Sequence, residues 1–189
     1  MDYTKETVKF ILQNANRFEW SLQGLGMLRL YLSKELRLHI WDDRYKVPNV
    51  SEVHSHPWTF RSTIIAGVMY EYRYTPNSQI GYNYSGVLIQ CGENSCIKEK
   101  LPGLRLHNEK KFYHEGEDYE LAHDVLHSSH ALSGTVTLVR RFFREDTEHA
   151  KVYWPVFGTD PGWVDAKPRK ATPKEIKAIV GNALERHFK

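Results

Sequence analysis

Two histidines one residue apart, His54-Ser55-His56, are the residues of this chain whose type and spacing most directly suggest chemistry. In an extended chain residues i and i+2 point to the same face, so the pair aims two imidazoles at one point, and Pro57 ends the ladder beside them. Imidazole suits zinc, iron, copper and nickel. Two convergent rings are half of a metal site. A second group, His114, His123, His127 and His130, follows about seventy residues later, just before a strand-like run at 134–139. A catalytic centre needs three protein ligands and an open position, a count that one histidine of this group would complete.

Other side chains could act beside such a metal. Arg61 and Arg73 fall between apolar or aromatic neighbours, where a buried charge needs a partner. The pattern allows ion pairing with Glu71, Glu52 or Asp124, simple exposure, or a guanidinium fork for a substrate carboxylate or phosphate. Tyr70, Tyr72 and Tyr74 alternate along one segment, as a packing ladder or a stacking wall for a flat ring. Trp58 is a core residue or a pocket wall. The candidate catalytic groups are Arg61, Glu71 and Tyr72; the candidate substrate contacts are Arg73, Arg140, Tyr70 and Trp58.

Strands must position these groups. Period-two runs at 27–32, 37–41, 61–66, 70–74, 86–90 and 135–141 are rich in β-branched and aromatic residues and bounded by turn formers. Many short strands without α/β alternation predict an all-β sandwich or barrel. A helix is expected from Thr4 to Asn14, with Val8, Ile11 and Leu12 at helical spacing. Thr172-Pro173-Lys174-Glu175 supplies a cap, a first-turn proline and a capping-box glutamate. The stripe Ile176, Ile179, Val180, Ala183 and Leu184 then predicts an amphipathic helix over 173–187.

The chain has 189 residues, 41% hydrophobic and 26% charged, the balance of one ordinary globular domain. A net charge of +3 with no long basic block argues against binding long nucleic acids. No run of about eighteen apolar residues or charged-then-apolar leader is present, so no membrane span and a cytoplasmic location are expected. Cys91 and Cys96 are too few for a disulfide framework and too poorly spaced for zinc, and they fit a reducing compartment.

With an HxH pair and a later histidine before a strand, the chain resembles the cupin superfamily, whose barrel brings these two motifs together. The resemblance implies a double-stranded β-helix, a jelly-roll barrel over about 25–157 with flanking N- and C-terminal helices. In the second motif of that family a glycine precedes the metal histidine by eleven residues, as Gly116 precedes His127. The resemblance therefore gives His54, His56 and His127 as ligands, with His123 and His130 competing for the third place. The family's first motif carries a glutamate where this chain has Phe60 and Arg61. A three-histidine set remains, similar to that of the thiol dioxygenases, and an arginine replacing the glutamate would suit an anionic substrate.

Arg37-Leu38-His39-Ile40-Trp41, Val53-His54-Ser55-His56-Pro57-Trp58-Thr59-Phe60 and Gly134-Thr135-Val136-Thr137-Leu138-Val139-Arg140-Arg141 also look like cupin-like proteins of bacteriophage genomes. A phage origin would place the chain in the host cytoplasm. The expected function is a metal-dependent enzyme acting on a small anionic molecule, with Fe(II) ahead of zinc or manganese. A non-haem iron oxygenase leads. A hydrolase of a phosphodiester or cyclic nucleotide, serving phage counter-defence, is the alternative. A non-catalytic ligand-binding barrel and a metal-free sugar epimerase are further ones. The family resemblance also implies a homodimer.

Overall fold

The computed structural model describes residues 4–47, 53–91, 96–143, 149–156 and 168–189. Helix α1 (Lys5–Gln13) starts where the Thr4 hydroxyl accepts from the Thr7 amide at 3.3 Å, and it buries Val8, Ile11 and Leu12. A 3-10 turn (Ala15–Arg17) leads to β1 (Ser21–Gln23), β2 (Leu25–Tyr31), β3 (Leu36–Lys46), β4 (Val53–His54) and β5 (Trp58–Ala66). Then come β6 (Val68–Pro76), β7 (Tyr82–Gln90), β8 (Cys96–His114), β9 (Asp118–Leu121), β10 (Leu126–Ala131), β11 (Val136–Phe143), β12 (His149–Pro155) and β13 (Arg169–Lys170). Helix α2 (Pro173–His187) closes the chain with the expected capping box: Thr172 and Glu175 satisfy each other's backbone amides.

The strands form a two-sheet jelly-roll β-sandwich in which every pairing is antiparallel. One sheet has seven strands in the order β13-β1-β2-β3-β11-β5-β9. The other runs β10-β4-β12-β7-β8-β6, and β6 pairs back to β10, so that it closes on itself. The chain crosses between sheets at Gly67, the single residue separating β5 from β6, with φ +88°. A Cβ there would lie 2.6 Å from Thr135 Oγ1, and that hydroxyl bonds both Val68 backbone groups. Only glycine fits this corner without strain.

Three cores follow from strand alternation. Leu28, Leu38, Ile40 and Val136 form the outer face of the seven-stranded sheet, against which both helices bury Val8, Leu12, Ile179 and Val180. Its inner face sends Met27, Trp41, Phe60 and Val139 towards Met69 of the closed sheet. A third cluster, Val53, Tyr84, Leu106, Leu126 and Tyr153, fills the closed sheet itself. Tyr153 lies flat enough against β7 that a Cβ on Gly86 would come within 2.4 Å of its ring.

Strand β8, 19 residues long, was not expected from the sequence. Half of its stretch Lys98 to Lys111 is charged, and Pro102 and Gly103 interrupt it, so it shows no clean alternation. It forms because β6 and β7 pair with it on either side.

Candidate metal centre

The ligand atoms of His54, His56 and His127 all lie within 4.8 Å of one another. Backbone pairing brings this about. His54 ends the short β4 and stands opposite both His127 of β10 and Val152 of β12. Ser55 faces the other way and is buried, where its hydroxyl accepts from the Lys151 amide at 3.0 Å. That clamp returns His56 to the side of His54, as the HxH spacing predicts. The His56 amide in turn donates to the His123 carbonyl at 3.0 Å. The three ring centroids are 4.6 to 5.1 Å apart.

The rings have the form that metal ligands require. His127, 1% exposed, sets its Nδ1 against the Val125 carbonyl at 3.1 Å, leaving Nε2 for the centre of the cluster. A backbone acceptor on the far nitrogen is the usual way a metal-binding histidine is oriented. Burial, reinforced by the neighbouring histidines, holds the pKa of His56 and of His127 well below the ordinary value, so both rings are neutral. Neutral imidazole is the ligating species. An apolar wall surrounds them: the Phe60 ring is 5.4 Å from His56 and 5.9 Å from His127, and Trp58 stacks on His56 at 5.2 Å and 16°.

Strand parity sorts the remaining expected residues. His130 lies three residues from His127 and therefore faces the other way, with Nε2 3.2 Å from Ser128 Oγ and its ring stacked on Tyr70 at 5.1 Å. It is not among the three clustered rings, and neither is His123, whose Nδ1 is 3.9 Å from Asp124. Tyr70 and Tyr72 share that other face with Phe112 and Lys110, whose Nζ sits 4.0 Å over the Tyr70 ring. Tyr70 and His130 instead border a cleft of about 230 Å³ with Trp41, Asp42 and Lys46, which none of the three histidines lines.

Arg61 is also turned away. Phe60 takes the inward position, so Arg61 projects outward and is exposed, where it pairs with Asp118 at 2.5 Å. The Phe60 ring, and not the Arg61 guanidinium, stands beside His56 and His127. Arg140, facing Arg61 across the ladder, is exposed as well. Arg73 and Glu71 do face the metal side: Arg73 is directly opposite His127, and its Nε donates to the fully buried Glu71 at 2.7 Å. Arg73 also reaches the Tyr113 hydroxyl at 3.2 Å. Burial raises the Glu71 pKa and Arg73 opposes the rise. Glu71 stands outside the ligand cluster. Glu52, the other partner considered for these arginines, lies outside the described residues.

No family model matches the chain, and no curated protein matches it. Among the described residues no helix is long and apolar enough to cross a membrane.

Sequence reasoning did not bring one group of arginines together, although Arg141 at a strand end already offered a guanidinium. Arg29, Arg37 and Arg141 come from three adjacent strands and surround Tyr31, with guanidinium carbons 5.0, 4.7 and 5.8 Å from its ring centroid. Arg37 and Arg141 also lie over Trp58, at 5.3 and 4.9 Å. Each position alone looks like a half-buried strand residue; only the pairings of β2, β3 and β11 assemble them.

Proposed function

We propose that this chain is a cupin-like metalloenzyme that holds one divalent cation on His54, His56 and His127 and acts on a small anionic molecule. The observation that carries the reading is the convergence of three imidazoles, two of them held neutral by burial, on one point between the sheets. Among the described residues no carboxylate joins the cluster, which favours Fe(II) and an oxygenase reaction over the carboxylate-rich sites suited to magnesium or calcium. Bound iron would supply activation of dioxygen, with coordination positions left open beyond the three protein ligands.

The chain's own residues then have separate tasks. The Val125 carbonyl fixes the tautomer and orientation of His127. Phe60 and Trp58 exclude water from one side of the histidines. The Arg73–Glu71 pair sets a buried carboxylate and its half-buried cation on the strand facing His127. Anaerobic purification followed by elemental analysis, then oxygen uptake with small carboxylates and phosphates, tests the reading. Near-stoichiometric iron with substrate-dependent uptake is expected. Stoichiometric zinc and no uptake would overturn the oxygenase.

The arginines beside Trp58 favour a second reading, a zinc- or manganese-dependent hydrolase of a small phosphate ester. Its metal would supply an activated water. Release of alcohol and phosphate without oxygen consumption would select it.

A further inference from the structure

Lys110 is an exposed residue of β8 whose ammonium lies against three aromatic rings at once. Its Nζ is 4.0 Å from the ring centroid of Tyr70, 4.6 Å from that of Phe112 and 5.4 Å from that of Tyr72. An ammonium within about 6 Å of a ring centroid is drawn to the negative face of the ring. Register builds the walls: Tyr70 stands opposite Phe112 across the β6–β8 ladder, and Tyr72 stands opposite Lys110 itself. All four side chains occupy the face of β6 turned away from Glu71 and Arg73, and so away from the metal histidines.

His130 props this cage from behind. Its ring stacks on Tyr70 at 5.1 Å and 7°, meets Tyr72 edge-on at 5.7 Å and 86°, and sets Nε2 3.2 Å from Oγ of the buried Ser128. The Tyr70 ring also lies 5.7 Å from Phe112 and perpendicular to Tyr72, at 89°. The tyrosine walls are thus held by the protein, Phe112 is 55% exposed, and the cation between them rides on a flexible stem. A lysine ammonium is strongly hydrated and loses rotamer freedom when laid on a surface, so at an exposed site its hold on the rings is weak. A quaternary ammonium is larger and less hydrated, and cages of several rings suit it better. Among the described residues no carboxylate pairs with Lys110, so its charge is available to an anion once it leaves the rings.

We infer that Tyr70, Tyr72 and Phe112 form a binding cage for the quaternary ammonium of a small zwitterion, whose anionic group pairs with the displaced Lys110. Lys110 is the resident occupant: its ammonium shows which charge the cage takes, and its flexible stem lets it give way to a better cation. The cage is independent of the proposed metal-dependent reaction, since it lies on the other face of the same strands.

Ligand-observed NMR of the N-methyl signal tests it on the full-length protein as purified. The probes are glycine betaine, choline and the neutral carbon analogue of choline, in which tert-butyl replaces trimethylammonium and supplies the observed signal. Betaine should bind wild type about threefold or more tightly than choline, the scale of one exposed ion pair. The neutral analogue should bind more weakly than choline. Lys110→Ala should reverse the pattern: choline tightens about threefold because its competitor is gone, and betaine loses its lead. Phe112→Leu and Tyr72→Leu should each weaken both cations about threefold or more, with circular dichroism reporting the fold. Phe112 is exposed, so its variant stands should Tyr72→Leu fail to fold. His56→Ala should lose metal yet keep betaine affinity, which separates this cage from the metal reading. Absence of betaine binding, a neutral analogue as tight as choline, Lys110→Ala with both wild-type affinities, or folded ring variants that bind as wild type would each overturn the cage.

Discussion

His127 stands directly opposite His54 across the β10–β4 ladder, with their rings 4.6 Å apart. Directly opposed residues on antiparallel strands share a face and approach closely. The convergence of the three histidines is therefore written into strand register: a one-residue slip of β10 would turn His127 to the other side and bring Ser128 or Leu126 in its place. β4 is only two residues long, but it is paired on both sides, with β10 and with β12.

That dependence makes the ligand assignment testable by subtraction. His54→Ala, His56→Ala and His127→Ala should each reduce bound metal from about one ion per chain to near zero. His130→Ala should leave it unchanged, because that ring lies with Tyr70 on the opposite face. Elemental analysis after identical purification decides. Chelator should lower the unfolding midpoint of wild type but not of the three deficient variants, a ligand at a hundred times its dissociation constant being worth about 2.7 kcal/mol.

The metal-free protein should lose stability in mild acid. His39, His56 and His127 are held neutral in the fold, their pKa values well below the ordinary one, chiefly by burial. The unfolded chain takes up a proton at each near pH 6.5, and the folded chain does not until far lower pH. The stability they support is thus complete above about pH 6.5 and declines as pH falls below it. The loss approaches about 1.4 kcal/mol per histidine one pH unit lower. Urea unfolding between pH 5 and 8 should show this slope, and His39→Gln should remove roughly a third of it.

Local spacing made half of the site legible in the sequence. His54 and His56 needed only the period of a strand, and both capped helices were readable from Thr4 and from Thr172 to Glu175. His127 followed from a family resemblance, because nothing local separates it from His123 or His130. Parity beyond Pro57 was hidden, since the chain leaves β4 and re-enters a different sheet at Trp58. Arg61 was therefore expected beside the metal, where Phe60 stands. The arginine trio was invisible for another reason: its members are up to 112 residues apart (141 minus 29) and meet only through the register of β2, β3 and β11.

The Arg73–Glu71 pair should behave as a unit. Arg73→Met leaves the Glu71 carboxylate buried without its cation, and a loss of about 3 kcal/mol is expected for breaking such a pair from one side. Glu71→Gln with Arg73→Met should recover a substantial part, giving a coupling energy of about 1–3 kcal/mol in a double-mutant cycle. Arg61→Gln and Arg140→Gln, both at exposed positions, should change stability by less than about 1 kcal/mol. Chemical denaturation of the five proteins tests this, and strict additivity of the first two changes would mean that the pair is not coupled.

Phe60 offers the sharpest trial of how the pocket wall serves the metal. It is 6% exposed and touches His56, His127 and Tyr119, so Phe60→Ala should cost about 3–5 kcal/mol and leave a cavity beside the histidines. Looser packing should also weaken metal binding about tenfold, the scale of changes made just outside a ligand shell. Phe60→Glu separates the two effects. The metal-free variant should be destabilised at least as much, because a carboxylate replaces an apolar ring in the core. Its metal affinity should nevertheless exceed that of Phe60→Ala, since the new carboxylate enters a site that already converges on one point. Competition against a fluorescent chelator measures both affinities, and a glutamate variant no tighter than the alanine variant would show that position 60 faces the histidine rings without reaching the ion they share.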